Sequence, residues 1–242
     1  MADDRTRPHQ AGRETLATAV FDRLREDILN VALVPGEKLR VEFVCDRYQA
    51  GSSPVREALS RLSANGLVER KEQRGFYVAP VSATDLEELT KTRCWLESIA
   101  LRESIVGGGE PWEEAIVLAS HRLERTPRSL DGESYQTNPE WERRHQAFHD
   151  SLIAACGSRR LLQSCVQLRE QAYRYRQIAA ATAYPNRNER DEHEAIVRAS
   201  INRDAEMAVD LLQQHYRRTT DIILARPATL APEALAHRRE DA

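Results

Sequence analysis

Ser53-Pro54-Val55-Arg56-Glu57-Ala58-Leu59, followed by Arg61-Leu62 and Gly66-Leu67-Val68, is the stretch that decides the reading of this chain. Ser53 suits the N-cap of a helix and Pro54 its first position, where a missing N–H costs nothing. The helix is expected to run to about Ala64, where Asn65-Gly66 offers a left-handed end. Working outward, a helix is expected over Glu14–Asn30, with Leu16, Val20, Leu24, Ile28 and Leu29 on one face. Val34-Pro35-Gly36 breaks the chain. A second helix follows over Val41–Tyr48, and Gln49–Ser53 reads as a tight turn. Downstream, Leu67–Arg70 and Gly75–Ala79 alternate as strands around a polar tip, Lys71-Glu72-Gln73-Arg74. Helix, helix, turn, helix, hairpin is the order of a winged helix-turn-helix. It is assigned to residues 13–80, behind a disordered tail at 1–12.

That fold places a recognition helix in the DNA major groove with its N-terminal residues nearest the bases. Arg56 is then positioned for a guanine edge or a phosphate, and Ser52 and Ser53 for phosphate hydrogen bonds. Lys71, Arg74 and Gly75 at the hairpin tip, with Arg40 and Arg61, complete the candidate DNA contacts. Taken singly, Arg56 and Glu57 could equally be an ordinary solvated helix face. The Pro-Val-Arg-Glu-Ala-Leu run resembles the recognition helix of the GntR family of bacterial regulators. Pro35-Gly36-Glu37-Lys38-Leu39 and the wing Arg74-Gly75-Phe76-Tyr77-Val78 match in order and spacing, so the resemblance spans residues 15–80. The chain departs from the family twice. Gly51-Ser52-Ser53 stands where Ser-Arg-Thr is usual, which removes one recognition arginine and implies an altered operator. Val31 stands where a glycine is expected, a change expected to affect only a helix end.

Pro80–Ala83 reads as a linker, with residues 81–84 set apart as the boundary, and from Asp85 no strand pattern appears. Leu86, Leu89, Cys94, Leu96, Ile99 and Ala100 mark a long amphipathic helix. Further helices are expected at Glu113–Arg125, Glu140–Ala155, Arg159–Tyr175, Arg190–Asn202 and Ala205–Ala225, with a loop over Thr126–Pro139. Six helices over residues 85–226 make a bundle, and 227–242 is expected to be a disordered tail. The fold class is therefore mainly α.

His145 and His149, four residues apart, share one helix face, and His193 and His215 come from two later helices. Imidazoles directed inward from three helices are how a bundle builds a metal site, and neutral imidazoles suit zinc, nickel, cobalt or iron. This region resembles the all-helical effector domain of the FadR subgroup of the same family, on Arg93 and Glu97, Phe148-His149, Glu192-His193 and His215. The resemblance implies a divalent metal held by one Asp and three His, with a carboxylate effector against it. Here His145 stands in place of the aspartate, which favours zinc or nickel, or else leaves His145 outside the ligand set. Arg93 is the candidate to grip the effector carboxylate, its alternative being a pair with Glu97. Arg174 is a second candidate; it and Arg176 point to different faces, so at most one of them lines the pocket. The resemblance further implies a homodimer on a palindromic operator, and a branch responsive to short dicarboxylates such as glutarate.

Composition bounds these readings. The chain has 242 residues, 41% hydrophobic and 30% charged, a soluble globular balance. Its net charge of −3 divides into 13 basic against 12 acidic residues over 1–80 and 22 against 26 beyond. DNA binding therefore has to rest on local clustering rather than net charge. No stretch approaches the roughly 20 apolar residues of a membrane span. No export signal is visible, and Cys45, Cys94, Cys156 and Cys165 never form a CxxC pair, so a cytoplasmic protein with reduced thiols is expected. The function expected is a metabolite-responsive, DNA-binding repressor and not an enzyme. The alternatives are a metal-dependent enzyme on the bundle, or a DNA-binding protein whose bundle only dimerises.

Overall fold

The structure is a computed structural model that describes residues 15–131, 135–183, 189–226 and 230. The tails expected at 1–12 and 227–242 lie, Leu230 apart, outside the described residues, as do His9 and His237. The N-terminal elements are α1 (Leu16–Leu29), β1 (Lys38–Leu39), α2 (Val41–Tyr48), α3 (Ser52–Ala64), β2 (Val68–Lys71) and β3 (Gly75–Val78). Thr15 caps α1, its side chain accepting from the Thr18 N–H at 3.2 Å. Val20, Leu24 and Ile28 on α1 meet Val55, Ala58, Leu59 and Leu62 on α3 in one buried core.

α3 begins two residues before the expected start. Gly51 is its N-cap, in extended conformation, and its carbonyl accepts from the Val55 N–H at 3.3 Å. Ser52, Ser53 and Pro54 therefore fill the first turn, which corrects the assignment of Ser53 as cap and Pro54 as first residue. Pro54 fits there as well, because the leading N–H groups of a helix have no internal partner. The sheet runs β1-β3-β2, all antiparallel, with Lys38 opposite Tyr77 and Val68 opposite Val78. β1 was not expected, since two residues carry no readable alternation. Gly66 is left-handed at φ +72°, which favours glycine at this helix end; a Cβ there would stand 2.6 Å from Gln171 Nε2 and push that side chain aside.

Val31 keeps the left-handed backbone of the glycine it replaces, at φ 62°. That is a rare conformation for a β-branched residue. Its side chain is buried with Leu86, Leu89, Tyr175 and Ile178, all beyond residue 80. The substitution thus does more than alter a helix end: it pins the end of α1 to the helical half.

That half comprises α4 (Ala83–Gly107), α5 (Glu110–Glu124), α6 (Pro139–Ile153), α7 (Arg159–Ala183), α8 (Glu189–Ile201) and α9 (Ala205–Leu224). Ser82, Asn138 and Asp204 cap α4, α6 and α9 through their side chains. α4 packs along α9 and α7, and Leu101, Ile116, Phe148, Leu152, Ile196 and Leu212 form the core. α7 runs well past the expected stop at Tyr175, because Ile178, Ala179 and Ala180 continue its buried face.

One side of α7 is the seam between the halves. Tyr173 Oη donates to Asn30 Oδ1 at 2.9 Å, and Gln171 Nε2 donates to the Asn65 carbonyl at 3.0 Å. Arg25 pairs with Glu170 at 2.5 Å. Tyr175 Oη accepts from the Ser82 N–H at 3.1 Å and donates to Asp85 at 2.5 Å. Among the described residues no helix is long and apolar enough to cross a membrane.

A candidate DNA interface and a buried histidine cluster

The first turn of α3 presents Ser52, Ser53 and Arg56 to solvent, and the wing tip presents Lys71, Arg74 and Gly75. Arg40, at the N-cap of α2, is exposed as well. Among the described residues Arg56 makes no ion pair, so its guanidinium has its hydrogen bonds to give. Lys71 lies 4.8 Å from the centre of the Tyr77 ring and 3.5 Å from Glu69, which ties it down in part. Arg61 is placed differently. It turns back over Phe21 at 4.2 Å and reaches Thr18 Oγ1 at 3.4 Å, packing α3 onto α1 rather than facing outward. A helix N-terminus with an unpaired arginine and two hydroxyls, flanked by a basic wing, is suited to a phosphate backbone and a base edge.

The second site is buried. His145 and His149 stand one turn apart on α6, His193 is on α8 and His215 on α9. All four are nearly inaccessible, and their donor nitrogens lie within 4.8 Å of one another. Trp141 stacks on His145 at 4.7 Å, and Phe148 closes on His193 at 4.8 Å. His121 is exposed on α5 and takes no part.

A tier of polar groups orients two of the rings. His215 Nδ1 lies 2.8 Å from Glu192, which also accepts from Arg218 at 2.7 Å. Tyr216 Oη donates to Glu97 at 2.5 Å, so the Nδ1–H of His149, 3.2 Å away, donates to the phenol oxygen. Both rings then turn Nε2 toward the cluster. His145 Nε2 lies 3.2 Å from His149 Nε2, and His145 Nδ1 has no hydrogen-bond partner. Two imidazole nitrogens edge to edge, with an unsatisfied buried nitrogen behind one of them, is an arrangement that a cation between them would relieve. Burial, then the charge of neighbouring groups, holds His145 and His149 well below the ordinary histidine pKa. Arg176 is among the charges acting on His145, and Arg93 and Arg169 among those acting on His149. The rings are therefore neutral, as metal ligation requires. The donor set fits a divalent transition ion, and the carboxylate on His215 and phenol on His149 are the outer partners such ligands usually have.

The cavity against the histidines has room of about 20 Å³ and is lined by Arg93, Arg169, Arg176, Tyr216 and Thr219. Arg93 lines it while pairing with Glu97 at 2.9 Å and lying 4.0 Å over the Tyr216 ring. Arg174 does not line it. Its guanidinium donates to the carbonyls of Ala79 and Pro80 at 2.9 and 3.2 Å, on the seam. Arg174 is thereby corrected from effector contact to seam residue. Residues two apart on a helix point about 200° apart, so Arg176 faces the cavity where Arg174 cannot. Sequence reasoning missed Arg169 and Tyr216. The signal was their placement next to (Tyr216 after His215) or on the same helix face as (Arg169 with Arg176, seven residues apart) residues already named.

Comparison with known proteins agrees in both halves. Residues 16–78 match the model of the bacterial regulatory proteins of the gntR family, and residues 88–218 that of the FCD domain. The HTH-type transcriptional regulator BphR of Paraburkholderia xenovorans is 37% identical over 88% of this chain and 87% of its own. The HTH-type transcriptional repressor GlaR of Escherichia coli is 35% identical over 79% of this chain and 88% of its own. The structure of Escherichia coli McbR/YncC shares the fold, with a TM-score of 0.72 at 18% identity over 88% of this chain and 98% of that one. With an exposed recognition helix and wing ahead of an FCD bundle, the chain belongs to the GntR family of bacterial transcriptional regulators.

Proposed function

We propose that the chain is a cytoplasmic, homodimeric repressor that leaves its operator when a small organic acid enters the bundle. Arg56, Ser52 and Ser53 contact the major groove and its phosphates, with Lys71, Arg74 and Gly75 of the wing and Arg40 on the flanking backbone. Arg61 acts from behind, holding α3 against α1. His145, His149, His193 and His215 hold a divalent transition metal, zinc or nickel, and when bound it supplies the positive charge that attracts a carboxylate. Arg93 orients that carboxylate, and Tyr216 and Glu192 fix the ligand rings. The relative named a repressor supports the sign of regulation. The observation that carries the effector half is a cluster of four buried imidazoles, three of which, His145, His149 and His215, line one cavity with Arg93, Arg169 and Arg176. A bundle that served only to dimerise would gain nothing from burying so many polar groups.

The test is binding of the zinc-loaded protein to the DNA upstream of its own gene, across a salt series, with acetate, succinate and glutarate added in turn. Salt-sensitive, sequence-dependent binding that Arg56→Ala weakens roughly tenfold to a hundredfold and one of the acids weakens is the expected result. Equal affinity for unrelated DNA, with no response to any acid, would sink the reading.

A further inference from the structure

The buried carboxylate of Glu142 belongs to neither site as described so far. Glu142 sits on α6, nearly inaccessible, one turn before the ring pair of His145 and His149. Its Oε2 accepts from Arg176 Nη2 and its Oε1 from Gln177 Nε2, both at 3.1 Å. Arg176 lines the histidine cavity, and its Nε is buried with no hydrogen-bond partner. Glu142 faces the other way, onto a cleft of about 700 Å³ between α1 and α6. Asp22, Arg25 and Glu26 of α1 and Arg143 of α6 line that cleft. One ion pair therefore separates the histidine cavity from the gap between the halves of the molecule.

The histidine cavity, at about 20 Å³, admits little more than a water. A carboxylic acid entering beside the histidines must move something. Of the carboxylates paired with the cavity's arginines, Glu97 is walled in and Asp150 already half exposed, whereas Glu142 is buried but borders a cleft, so its release moves a charge toward α1. We propose that Glu142 is an internal placeholder for the ligand's carboxylate. The entering acid takes over Arg176, whose unsatisfied Nε gives it a second hydrogen bond, and Glu142 is released into the cleft. There its negative charge joins Asp22 and Glu26, while the cleft's two arginines, Arg25 and Arg143, are already paired with Glu170 and Glu140, so the uncompensated like charges repel. The seam feels this directly, because Arg176 lies 5.4 Å over the ring of Tyr173, and Tyr173 holds Asn30 at the end of α1. The inference rests on the effector reading above and adds its exchange partner and the route to α1.

The experiment is calorimetric titration of the zinc-loaded wild type and Glu142→Gln with acetate, succinate and glutarate, alongside melting curves and release from the upstream DNA. Removing the internal competitor should tighten binding of the acid about tenfold, the worth of one charged hydrogen bond. Without ligand, Glu142→Gln should melt lower, because Arg176 is left as an uncompensated buried charge, and the acid should restore the loss. The same variant should release DNA less fully at saturating acid, since the group that repels α1 is gone. Arg176→Gln is the opposite case, and should weaken binding of the acid at least tenfold. Affinity in Glu142→Gln that is unchanged or weaker, with a melting loss the acid does not repair, would make Glu142 a structural counter-ion and overturn the proposal. Failure of the zinc-loaded wild type to bind any of the acids removes the effector reading itself, and the placeholder with it.

Discussion

The two ends of this molecule handle polar groups in opposite ways. On α3 and the wing, Ser52, Ser53, Arg56 and Arg74 are exposed, lie within 23 residues of one another and are carried by one helix and one hairpin turn. In the bundle, the histidines are drawn from three helices and spread from His145 to His215. Each is buried, and two are steadied by Glu192, or by Tyr216 and Glu97. A surface that is to meet DNA keeps its hydrogen bonds in reserve, and water satisfies them meanwhile. A site inside a bundle has no water to fall back on, so most of its polar atoms recruit partners from distant helices, and those left over, among them His145 Nδ1 and Arg176 Nε, mark where a ligand would enter.

The largest effect should come from breaking the buried end. A ligand that binds only the native state stabilises by about 4 kcal/mol at a thousand times its dissociation constant. For a chain of this size that is about 8–16 °C in Tm. Stripping zinc with a chelator should lower Tm by that order, and His149→Ala should melt like the stripped protein whether or not zinc is added. Arg56→Ala should keep the full zinc shift. A wild-type Tm indifferent to zinc and nickel would mean that the four imidazoles are packing groups and the contrast is one of burial alone.

A second pair of substitutions sharpens the exposed end. Arg56→Ala should weaken operator binding by about 1–3 kcal/mol, roughly tenfold to a hundredfold, and leave Tm within about 1 °C. Arg61→Ala should do the reverse. Losing its stack over Phe21 and its reach to Thr18 should cost about 1 kcal/mol of stability, with sequence discrimination kept. If Arg61→Ala instead relaxes discrimination at one base pair while Tm holds, its guanidinium swings out on DNA and the division between the two arginines is wrong.

The same contrast explains what could be read from the sequence. The winged unit was legible nearly residue by residue, because its core follows local periodicity and its turns are spelled by Pro35-Gly36 and Asn65-Gly66. The start of α3 was missed by two residues, since Gly51 caps through backbone geometry and leaves no side-chain signature. The histidines were legible as a set by helix phase. Arg174 was misplaced and Glu142 unseen, because helix phase alone does not say which neighbour a buried guanidinium or carboxylate will meet. That depends on how α7 packs against α1, a long-range fact. Val31 was noticed as a departure from glycine, but its burial against Leu86 and Tyr175 depends on the same docking.

A milder way to strain the buried end is acid. His145 and His149 sit well below the ordinary value in the folded chain, chiefly through burial, while an unfolded histidine titrates near 6.5. The unfolded state therefore binds protons first as the pH falls. The stability from neutral burial is complete above about pH 6.5 and is lost progressively below it, toward the depressed folded values. Each unit of depression in play is worth about 1.4 kcal/mol, or about 3–6 °C. Metal-free wild type should thus lose Tm between pH 7 and pH 5.5, and a variant with His145→Gln and His149→Gln should lose less. Parallel pH profiles would show that the rings are not held neutral by burial.

The smallest effect is expected at the joint, and it is informative because two opposing contributions nearly cancel. Val31→Gly removes a buried side chain worth about 1.5 kcal/mol or more and adds unfolded-state freedom worth about 0.5–1 kcal/mol. It also relieves a left-handed backbone that costs a residue with a Cβ about 1–2 kcal/mol. The net change should stay within about 1 kcal/mol. Val44→Gly, at a fully buried position inside α2, has the same chemistry with no strain to relieve, and should cost about 3 kcal/mol. Urea denaturation of the two variants isolates the backbone contribution as the difference between them. The Val31 side chain joins the end of α1 to α4 and α7, so its removal should also let the winged unit melt apart from the bundle. Calorimetric and van't Hoff enthalpies would then diverge in Val31→Gly while agreeing more closely in the wild type. Equal destabilisation of the two variants, with cooperativity intact, would mean that Val31 carries no strain and that the seam is held by Tyr173, Arg174 and Tyr175 alone.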